Sequence, residues 1–134
     1  MKIVLDTNVF VSGVFFTGPP YKIINAWRSG KLKIVISTEI LEEYIRVGEE
    51  LSSKYSGVNL RPAIELLALN ATFVTASNFP EQICRDADDD KFLSCAVSGK
   101  CDFIVSGDKH LLELKEYRGV KILKPRKFIE KYLK

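Results

Sequence analysis

The chain has 134 residues, of which 46% are hydrophobic and 28% are charged, and its formal net charge is +3. This length suits one domain with a core of its own, and this composition excludes an intrinsically disordered chain. No run approaches the ~20 apolar residues of a membrane helix. The first apolar run already ends at Asp6, too early for a signal-peptide core. We therefore expect one cytoplasmic domain over residues 1–134, with no membrane association.

Short runs of strand-forming residues alternate along the chain with longer helical patterns. Strands are predicted at residues 2–5, 33–36, 72–75, 102–105 and 120–123. Helices are predicted at residues 20–27, 38–55, 86–98, 111–117 and 128–133, with a further helix opening at residue 62. This alternation predicts an α/β fold in which helices cover both faces of a mostly parallel sheet.

The charges are unevenly distributed along the chain. Residues 1–108 hold 14 acidic and 11 basic side chains, whereas residues 109–134 hold 9 basic and 3 acidic ones. A basic C-terminal region is compatible with binding a nucleic acid, but a solvated helix and strand would have the same composition. The three cysteines, Cys84, Cys95 and Cys101, lack a CxxC spacing, which predicts buried free thiols rather than disulfides or a zinc site.

Polar side chains follow the first and fourth predicted strands. Asp6 and Asn8 come directly after the first strand, and Ser106 and Asp108 follow the fourth. In open parallel sheets ligands bind outside the carboxyl ends of the strands. If these two strands are neighbours, Asp6 and Asp108 open onto the same crevice. Each Asp also suits the alternative role of a turn residue or helix cap.

The acidic start of the helix predicted at residues 86–98 contains three consecutive Asp residues. The apolar residues of this helix fill one arc of its wheel: Phe92, Leu93, Cys95, Ala96 and Val97. Asp89 lies near the middle of that arc, whereas Asp88 and Asp90 lie at or beyond its edges. An unpaired carboxylate that faces the interior is costly, so Asp89 is expected to bind a cation. Asp88 and Asp90 are expected to be surface or capping acids.

The helix predicted at residues 38–55 carries Glu43 at the flank of its apolar face. From the wheel alone, Glu43 either reaches over the strand ends or extends to water. Clustered carboxylates repel one another, and the cluster therefore requires a cation or raised pKa values. Oxygen ligands without Cys or His favour Mg²⁺ or Mn²⁺ over Zn²⁺, and such ions serve phosphoryl transfer.

Four stretches of the sequence resemble PIN domains, in particular the single-domain toxins of the VapC type. They are LDTNVFVSG, STEILEEY, DDKFLSCA and IVSGDKHLL, which occur in this order over nearly the whole chain. The resemblance implies a three-layer α/β/α sandwich with a parallel sheet of about five strands. It also implies an Mg²⁺- or Mn²⁺-dependent endoribonuclease that acts on RNA, pairs with an antitoxin protein and forms a homodimer.

The resemblance also assigns roles to individual residues. Its catalytic acids match Asp6, Glu43, Asp89 and Asp108, and three of these, Asp6, Asp89 and Asp108, match metal ligands. Asn8 and Ser106 match polar positions that orient a ligand or the scissile phosphate. His110 departs from the pattern, because many relatives have an Asp there; it either joins the site or lies outside it. Independently of the resemblance, the basic residues that could guide the RNA backbone are Lys109, Lys121, Lys124, Arg126 and Lys127, although a plain solvated surface is the favoured role for any one of them.

Two other function classes remain open at the level of sequence. The same fold can serve as an RNA-binding or assembly module without turnover, although the presence of all four acids argues against it. A phosphate-transfer domain of the receiver type needs paired acids after the first strand, and one of the haloacid-hydrolase type needs a DxD motif. The chain has only Asp6 there, and Asn8 occupies the third position.

Overall fold

The structure, a computed structural model, describes residues 1–133. The strands are β1 (Lys2–Leu5), β2 (Lys33–Ile36), β3 (Thr72–Phe73), β4 (Phe103–Val105), β5 (Glu116–Tyr117) and β6 (Val120–Leu123). The helices are α1 (Thr7–Phe15), α2 (Pro19–Arg28), α3 (Thr38–Lys54), α4 (Arg61–Asn70), α5 (Asp90–Ser98), α6 (Lys109–Leu112) and α7 (Pro125–Tyr132). A 3₁₀ turn, Ala87–Asp89, leads directly into α5.

The six strands form one sheet in the order β3-β2-β1-β4-β6-β5, in which only β5 is antiparallel to its neighbour. From β1 the chain builds outward through β2 and β3 on one side, and through β4 and β6 on the other. The strand order therefore reverses between β1 and β4, and ligands bind at such a reversal in open α/β sheets. The predicted α/β class is confirmed. β1 and β4 are neighbours, which meets the condition under which Asp6 and Asp108 open onto the same crevice.

The sheet forms because its central strands are continuous apolar runs. Parallel strands with helices on both faces are buried on both sides, and so they do not alternate between polar and apolar residues. Ile3, Val4 and Leu5 of β1 are fully buried. Helix α5 packs on β1, β2 and β4, while α2 packs on α1 and α7. The three cysteines are buried free thiols, as predicted, and no helix within residues 1–133 is both long and apolar enough to span a membrane.

The region between β4 and β6 differs from the prediction of a helix over residues 111–117. Helix α6 ends at Leu112, and the sixth strand, β5, pairs with β6 through a two-residue hairpin turn. Arg118 and Gly119 have φ angles of 48° and 84°, as a type I′ turn requires. The helical prediction was wrong because the apolar spacing of this segment fits both the helical and the strand period. Arg is also uncommon at positive φ, so Arg118 did not indicate a turn.

Helix α1 was not predicted from the sequence at all. Its residues, TNVFVSGVF, are rich in β-branched side chains and include a glycine, which both disfavour a helix in isolation. Packing overrides that preference, because Phe10 stacks on Tyr44 of α3 at a centroid distance of 4.5 Å. Gly13 lets α1 approach α2 closely: a Cβ there would lie 2.6 Å from Ile24 Cγ1 and 2.8 Å from the Pro20 carbonyl oxygen.

We expect Gly13→Ala to destabilise the protein by about 1–3 kcal/mol, despite the better helix propensity of alanine. The added methyl group would overlap the backbone of α2, which can relieve the overlap only by moving away. Urea unfolding measures the change, with Ser12→Ala on the half-buried side of the same helix as the control. An unchanged or higher free energy of unfolding for Gly13→Ala would show that α1 and α2 are not in close contact.

Candidate active site

Asp6 joins the end of β1 to the start of α1 and is buried, with 5% of its surface exposed. One carboxylate oxygen, Oδ1, accepts a hydrogen bond from the Val9 N–H at 2.9 Å and so caps α1. The other, Oδ2, accepts from the Ser106 hydroxyl and from the Gly107 N–H at 3.3 Å. Burial raises the pKa of Asp6, and these three hydrogen bonds oppose that rise. Asp6 is thus both a helix cap and a member of the crevice.

Ser106 and Asp108 follow β4 and lie beside Asp6. The Ser106 side chain is fully buried, donating to Asp6 and accepting from the Asp108 N–H at 2.9 Å. Asp108 caps α6, because its Oδ1 accepts from the His110 N–H at 2.7 Å. The predicted crevice between the first and fourth strands therefore contains both predicted carboxylates, and the Ser106 hydroxyl links the two segments.

Asp89 contributes the third carboxylate, from the end of the 3₁₀ turn that precedes α5. Only 8% of its surface is exposed, and within residues 1–133 its Oδ2 has no hydrogen-bond partner. Burial raises the pKa of the Asp89 carboxyl to about 7, and the charges of Asp108, Asp86 and Asp6 add to the rise. A buried carboxylate oxygen without a donor is rare in proteins and calls for a bound cation or an ordered water.

The neighbours of Asp89 behave differently from it. Asp88 is exposed, as the helical wheel predicts. Asp90 is half-buried, and its carboxylate accepts from the N–H groups of Ile83 at 2.9 Å and Cys84 at 2.6 Å. Asp90 thus fastens the loop before the 3₁₀ turn, a stronger structural role than that of an ordinary surface acid. The wheel found the inward-facing acid although α5 itself begins only at Asp90.

His110 points its ring toward this cluster. Its Nδ1 lies 3.9 Å from Asp89 Oδ2 and 3.8 Å from Asp108 Oδ1, too far for a direct hydrogen bond. Ligand atoms that share one metal ion at ~2.1 Å lie ~3–4 Å apart, so this spacing suits two ligands of the same ion. Of the two alternatives that the sequence left open for His110, the structure places it at the cluster.

Asp86 is a neighbour of this cluster that the sequence did not single out. Asp86, Asp89 and His110 each offer one ligand atom, and these three atoms lie within 4.8 Å of one another. Asp86 is exposed and accepts from the Asp88 N–H at 3.0 Å. The sequence signal for including Asp86 in the cluster was its spacing of three residues from Asp89. Because Asp86 stands at the start of a predicted helix, a role as a helix cap was the simpler interpretation.

Glu43 lies on α3 and is mostly buried, with 13% of its side chain exposed. Its Oε2 accepts from the Thr7 hydroxyl and its Oε1 from the Lys91 ammonium, while Arg46 Nη2 lies 3.6 Å from Oε1. The next residue, Tyr44, donates its hydroxyl to the Leu5 carbonyl at 2.5 Å and so holds α3 against the end of β1. The Thr7 hydroxyl thus links Glu43 to the residue that follows Asp6, and Glu43 is already paired with the Lys91 cation.

Asn8 is exposed on the first turn of α1, and its ligand-orienting role stays a prediction.

A family model described as PIN domain matches residues 2–110 of the chain. The chain belongs to the PIN domain family. This PIN domain is 32% identical over 148 residues to an uncharacterized protein of Methanocaldococcus jannaschii, an alignment that covers 100% of the chain and 93% of that relative. Its fold is similar to that of a chain in the crystal structure of VapBC2 from Rickettsia felis bound to a DNA fragment from their promoter. The TM-score is 0.60 at 15% identity, covering 91% of this chain and 97% of that one.

The cluster of this PIN domain fits a divalent cation. The unpartnered Oδ2 of Asp89 supplies a buried ligand atom, and the pKa of Asp89 is raised because like charges crowd it. A divalent ion would reduce the repulsion among these carboxylates and would also coordinate the Asp89 oxygen that has no hydrogen-bond partner within residues 1–133. Carboxylate oxygens and one imidazole nitrogen are ligands for Mg²⁺ and for transition ions such as Mn²⁺.

In the metal-free PIN domain we expect Asp89→Asn to gain stability relative to wild type as the pH rises, by about 1–3 kcal/mol between about pH 5 and 8. The folded-state pKa of Asp89 is about 7, above the ~3.9 of an unfolded Asp. The unfolded wild-type chain therefore loses this proton first as the pH rises, which lowers wild-type stability until the pH passes about 7.

Urea unfolding in EDTA at several pH values measures this difference. The exposed Asp88→Asn should follow the wild-type pH dependence, because it leaves the buried carboxylate in place. Parallel stability curves for wild type and Asp89→Asn would mean that Asp89 is not crowded in the folded state.

Proposed function

We propose that this PIN domain is a metal-dependent endoribonuclease that hydrolyses phosphodiester bonds in RNA. The observation that carries the proposal is the buried carboxylate oxygen of Asp89, which has no hydrogen-bond partner within residues 1–133 and lies 3.9 Å from His110 Nδ1, itself 3.8 Å from Asp108 Oδ1. An acidic cluster of this kind attracts a divalent cation, and a nucleic acid brings the phosphate that such a cation polarises.

The proposed ligands are Asp6, Asp89 and Asp108, with His110 as a nitrogen donor and Mg²⁺ or Mn²⁺ as the ion. The bound ion would activate water and stabilise the charge that develops on the phosphate. Ser106 fixes the Asp6 carboxylate through its hydroxyl and so keeps that ligand oriented. Attack by water would leave a 5′-phosphate and a 3′-hydroxyl. Asn8, exposed at the rim, would orient the substrate.

The basic residues of the C-terminal region do not all lie near this cluster. Lys124, Arg126 and Lys127 are exposed and follow β6 at its carboxyl end, where Leu123 pairs with Val105 just before Ser106. Lys121 pairs with Phe103, at the opposite end of β4. Lys109 is exposed beside Asp108. We therefore propose that the RNA backbone binds at the edge of the sheet beside the cluster, where it would contact Lys109, Lys124, Arg126 and Lys127.

We expect the triple variant Lys124→Gln/Arg126→Gln/Lys127→Gln to bind single-stranded RNA more weakly by about 10-fold or more, with a shallower salt dependence. Each lost cation removes one phosphate contact and the release of its counterion. Fluorescence anisotropy at several salt concentrations measures both quantities. The matched controls are the single variants Lys124→Gln and Lys121→Gln, which each remove one charge, just after β6 and near its other end. An equal loss of affinity for the two would show that RNA does not bind at the edge beside the cluster.

The proposed biological role is the toxin of a type II toxin–antitoxin pair. The support is the fold similarity to a VapBC2 chain, which at 15% identity concerns the fold alone. Such a role implies an antitoxin protein that covers the cluster, and a homodimer of this chain. Coexpression with the product of a reading frame adjacent to the gene should relieve growth arrest caused by the chain. Growth that is unaffected by the chain alone would argue against a toxin.

The test of the nuclease itself is cleavage of a panel of single-stranded RNAs by the purified chain, freed of partners. Cleavage should require Mg²⁺ or Mn²⁺ and should stop with EDTA. Asp6→Asn should still bind RNA, because the basic edge supplies much of the affinity. If the chain bound RNA but cleaved no RNA of the panel with either ion, the nuclease proposal would be refuted. The alternative, a catalytically silent RNA-binding or assembly module, would then be favoured.

A further inference from the structure

The Glu43 carboxylate, one of the four predicted catalytic acids, has both of its oxygens already engaged. Lys91 Nζ contacts Oε1, and the Thr7 hydroxyl donates to Oε2. The Lys91 and Glu43 side chains are only 17% and 13% exposed, so this ion pair is largely removed from water. Lys91 lies in the first turn of α5, two residues after Asp89, and its ammonium also lies 3.8 Å from Asp88 Oδ1.

Asp89 and Glu43, at the two ends of the acidic site, therefore differ in whether their charge is already compensated. Asp89 has a buried oxygen that no group of residues 1–133 hydrogen-bonds, and its carboxylate is crowded by like charges. The Glu43 charge is already compensated, because a cation of the chain itself is in contact with it. A divalent ion would be favoured at Asp89, whereas at Glu43 it would have to compete with the Lys91 ammonium group.

Displacing that ammonium would be unfavourable for two physical reasons. Lys91 would lose its contact with Glu43 in a mostly buried position and would keep the longer 3.8 Å contact with the exposed Asp88 carboxylate. Weakening a largely buried ion pair in this way destabilises a protein. The arriving ion would also lie close to the Lys91 charge and be repelled by it. A groove of about 510 Å³ leads from solvent to the pair and is lined by Glu39, Glu42 and Arg46, so access alone does not keep ions away.

We propose that Lys91 takes the place of a second metal ion at Glu43, so that the site binds one divalent cation and not two. The inference rests on the metal dependence of the proposed function and goes beyond it, since it assigns the second positive charge of the site to a side chain. Lys91 acts through Glu43 and is therefore a positioning residue that fixes the ion count.

The experiment counts bound Mn²⁺ on the full metal-free chain by electron paramagnetic resonance, without RNA. Wild type should bind one ion with the spectrum of an isolated Mn²⁺. Lys91→Met should bind two, and because paired ions lie ~4 Å apart their spectrum should be broadened by spin coupling. Lys91→Arg, which keeps the charge, should bind one. Lys91→Met/Glu43→Gln should return to one, because the oxygen that admits the second ion is gone.

Matched controls keep the outcome decisive. Lys31→Met removes an exposed lysine elsewhere and should leave the count at one. Circular dichroism confirms that each variant is folded, and Lys91→Arg reports on the charge if Lys91→Met fails to fold. Two coupled ions in wild type, or in Lys91→Arg, would overturn the inference, as would a single ion in folded Lys91→Met.

The ion count is independent of RNA cleavage. One ion in wild type without cleavage of any RNA would support the role of Lys91 and refute the nuclease. Cleavage with two ions would refute only the role of Lys91. No bound ion at all would overturn both.

Discussion

Asp89→Asn should lower metal-dependent RNA cleavage by about 10²- to 10⁴-fold, the largest loss that we expect from one substitution, because a bound ion supplies several kcal/mol of transition-state stabilisation. The amide keeps the size of the side chain but removes the negative charge and one of the two acceptor oxygens. Asp89 is the acid whose buried oxygen has no other partner within residues 1–133, so no neighbouring group can take over its role. Single-turnover cleavage of a labelled RNA at saturating Mn²⁺ measures the loss.

Asp88→Asn is the matched control for that measurement. The two residues are adjacent and identical, but the Asp88 side chain is 74% exposed, and its variant should retain most of the activity. If Asp88→Asn were the inactive variant, the phase of the 3₁₀ turn would be wrong by one residue.

Asp90→Asn tests a different property of the same acidic run. The sequence alone predicts that it keeps most activity. Its contacts to the Ile83 and Cys84 N–H groups predict instead a loss of stability, because an amide can accept only through one oxygen. A lower melting temperature with normal activity in the folded fraction would separate this structural role from catalysis.

Added Mn²⁺ should raise the free energy of unfolding by about 2.7 kcal/mol at a free concentration 100 times the dissociation constant. Binding to the folded state alone produces this gain, and relief of the repulsion among Asp6, Asp89 and Asp108 is the source of the binding energy. Mg²⁺ should act in the same direction but at higher concentrations, because the His110 nitrogen favours a transition ion. Thermal and urea unfolding in titrations with each ion measure the effect.

Three comparisons make this second result specific to the cluster. NaCl at equal ionic strength controls for general screening of charge. Asp89→Asn should respond little to either ion, although it is itself more stable at neutral pH without metal. His110→Asp should respond to both ions with a smaller preference for Mn²⁺. Stability that is unmoved by millimolar Mn²⁺ and Mg²⁺ in wild type would leave the acidic cluster without a metal.

The strands and the acids that follow them were predictable because they depend on local pattern. Short apolar runs such as IVL and FIV, followed by turn residues, predict buried strands; Asp6 comes directly after the first run and Asp108 three residues after the second. Helix α1 was not predictable in the same way, because its β-branched and glycine residues gain their helical conformation from contacts with α2 and α3. The hairpin at Arg118 and Gly119 was missed because pairing with β6 selects its backbone.

Local sequence pattern is enough to predict an α/β domain with Asp6, Asp89 and Asp108 at inward or strand-end positions. Those positions follow from the periods of strands and helices, which act over a few residues. Local pattern does not predict that His110 lies beside Asp89 and Asp108, or that Lys91 pairs with Glu43 across 48 residues of chain. These pairings depend on how α3, α5 and α6 pack around the sheet, and the spacing of residues along a chain does not contain that information.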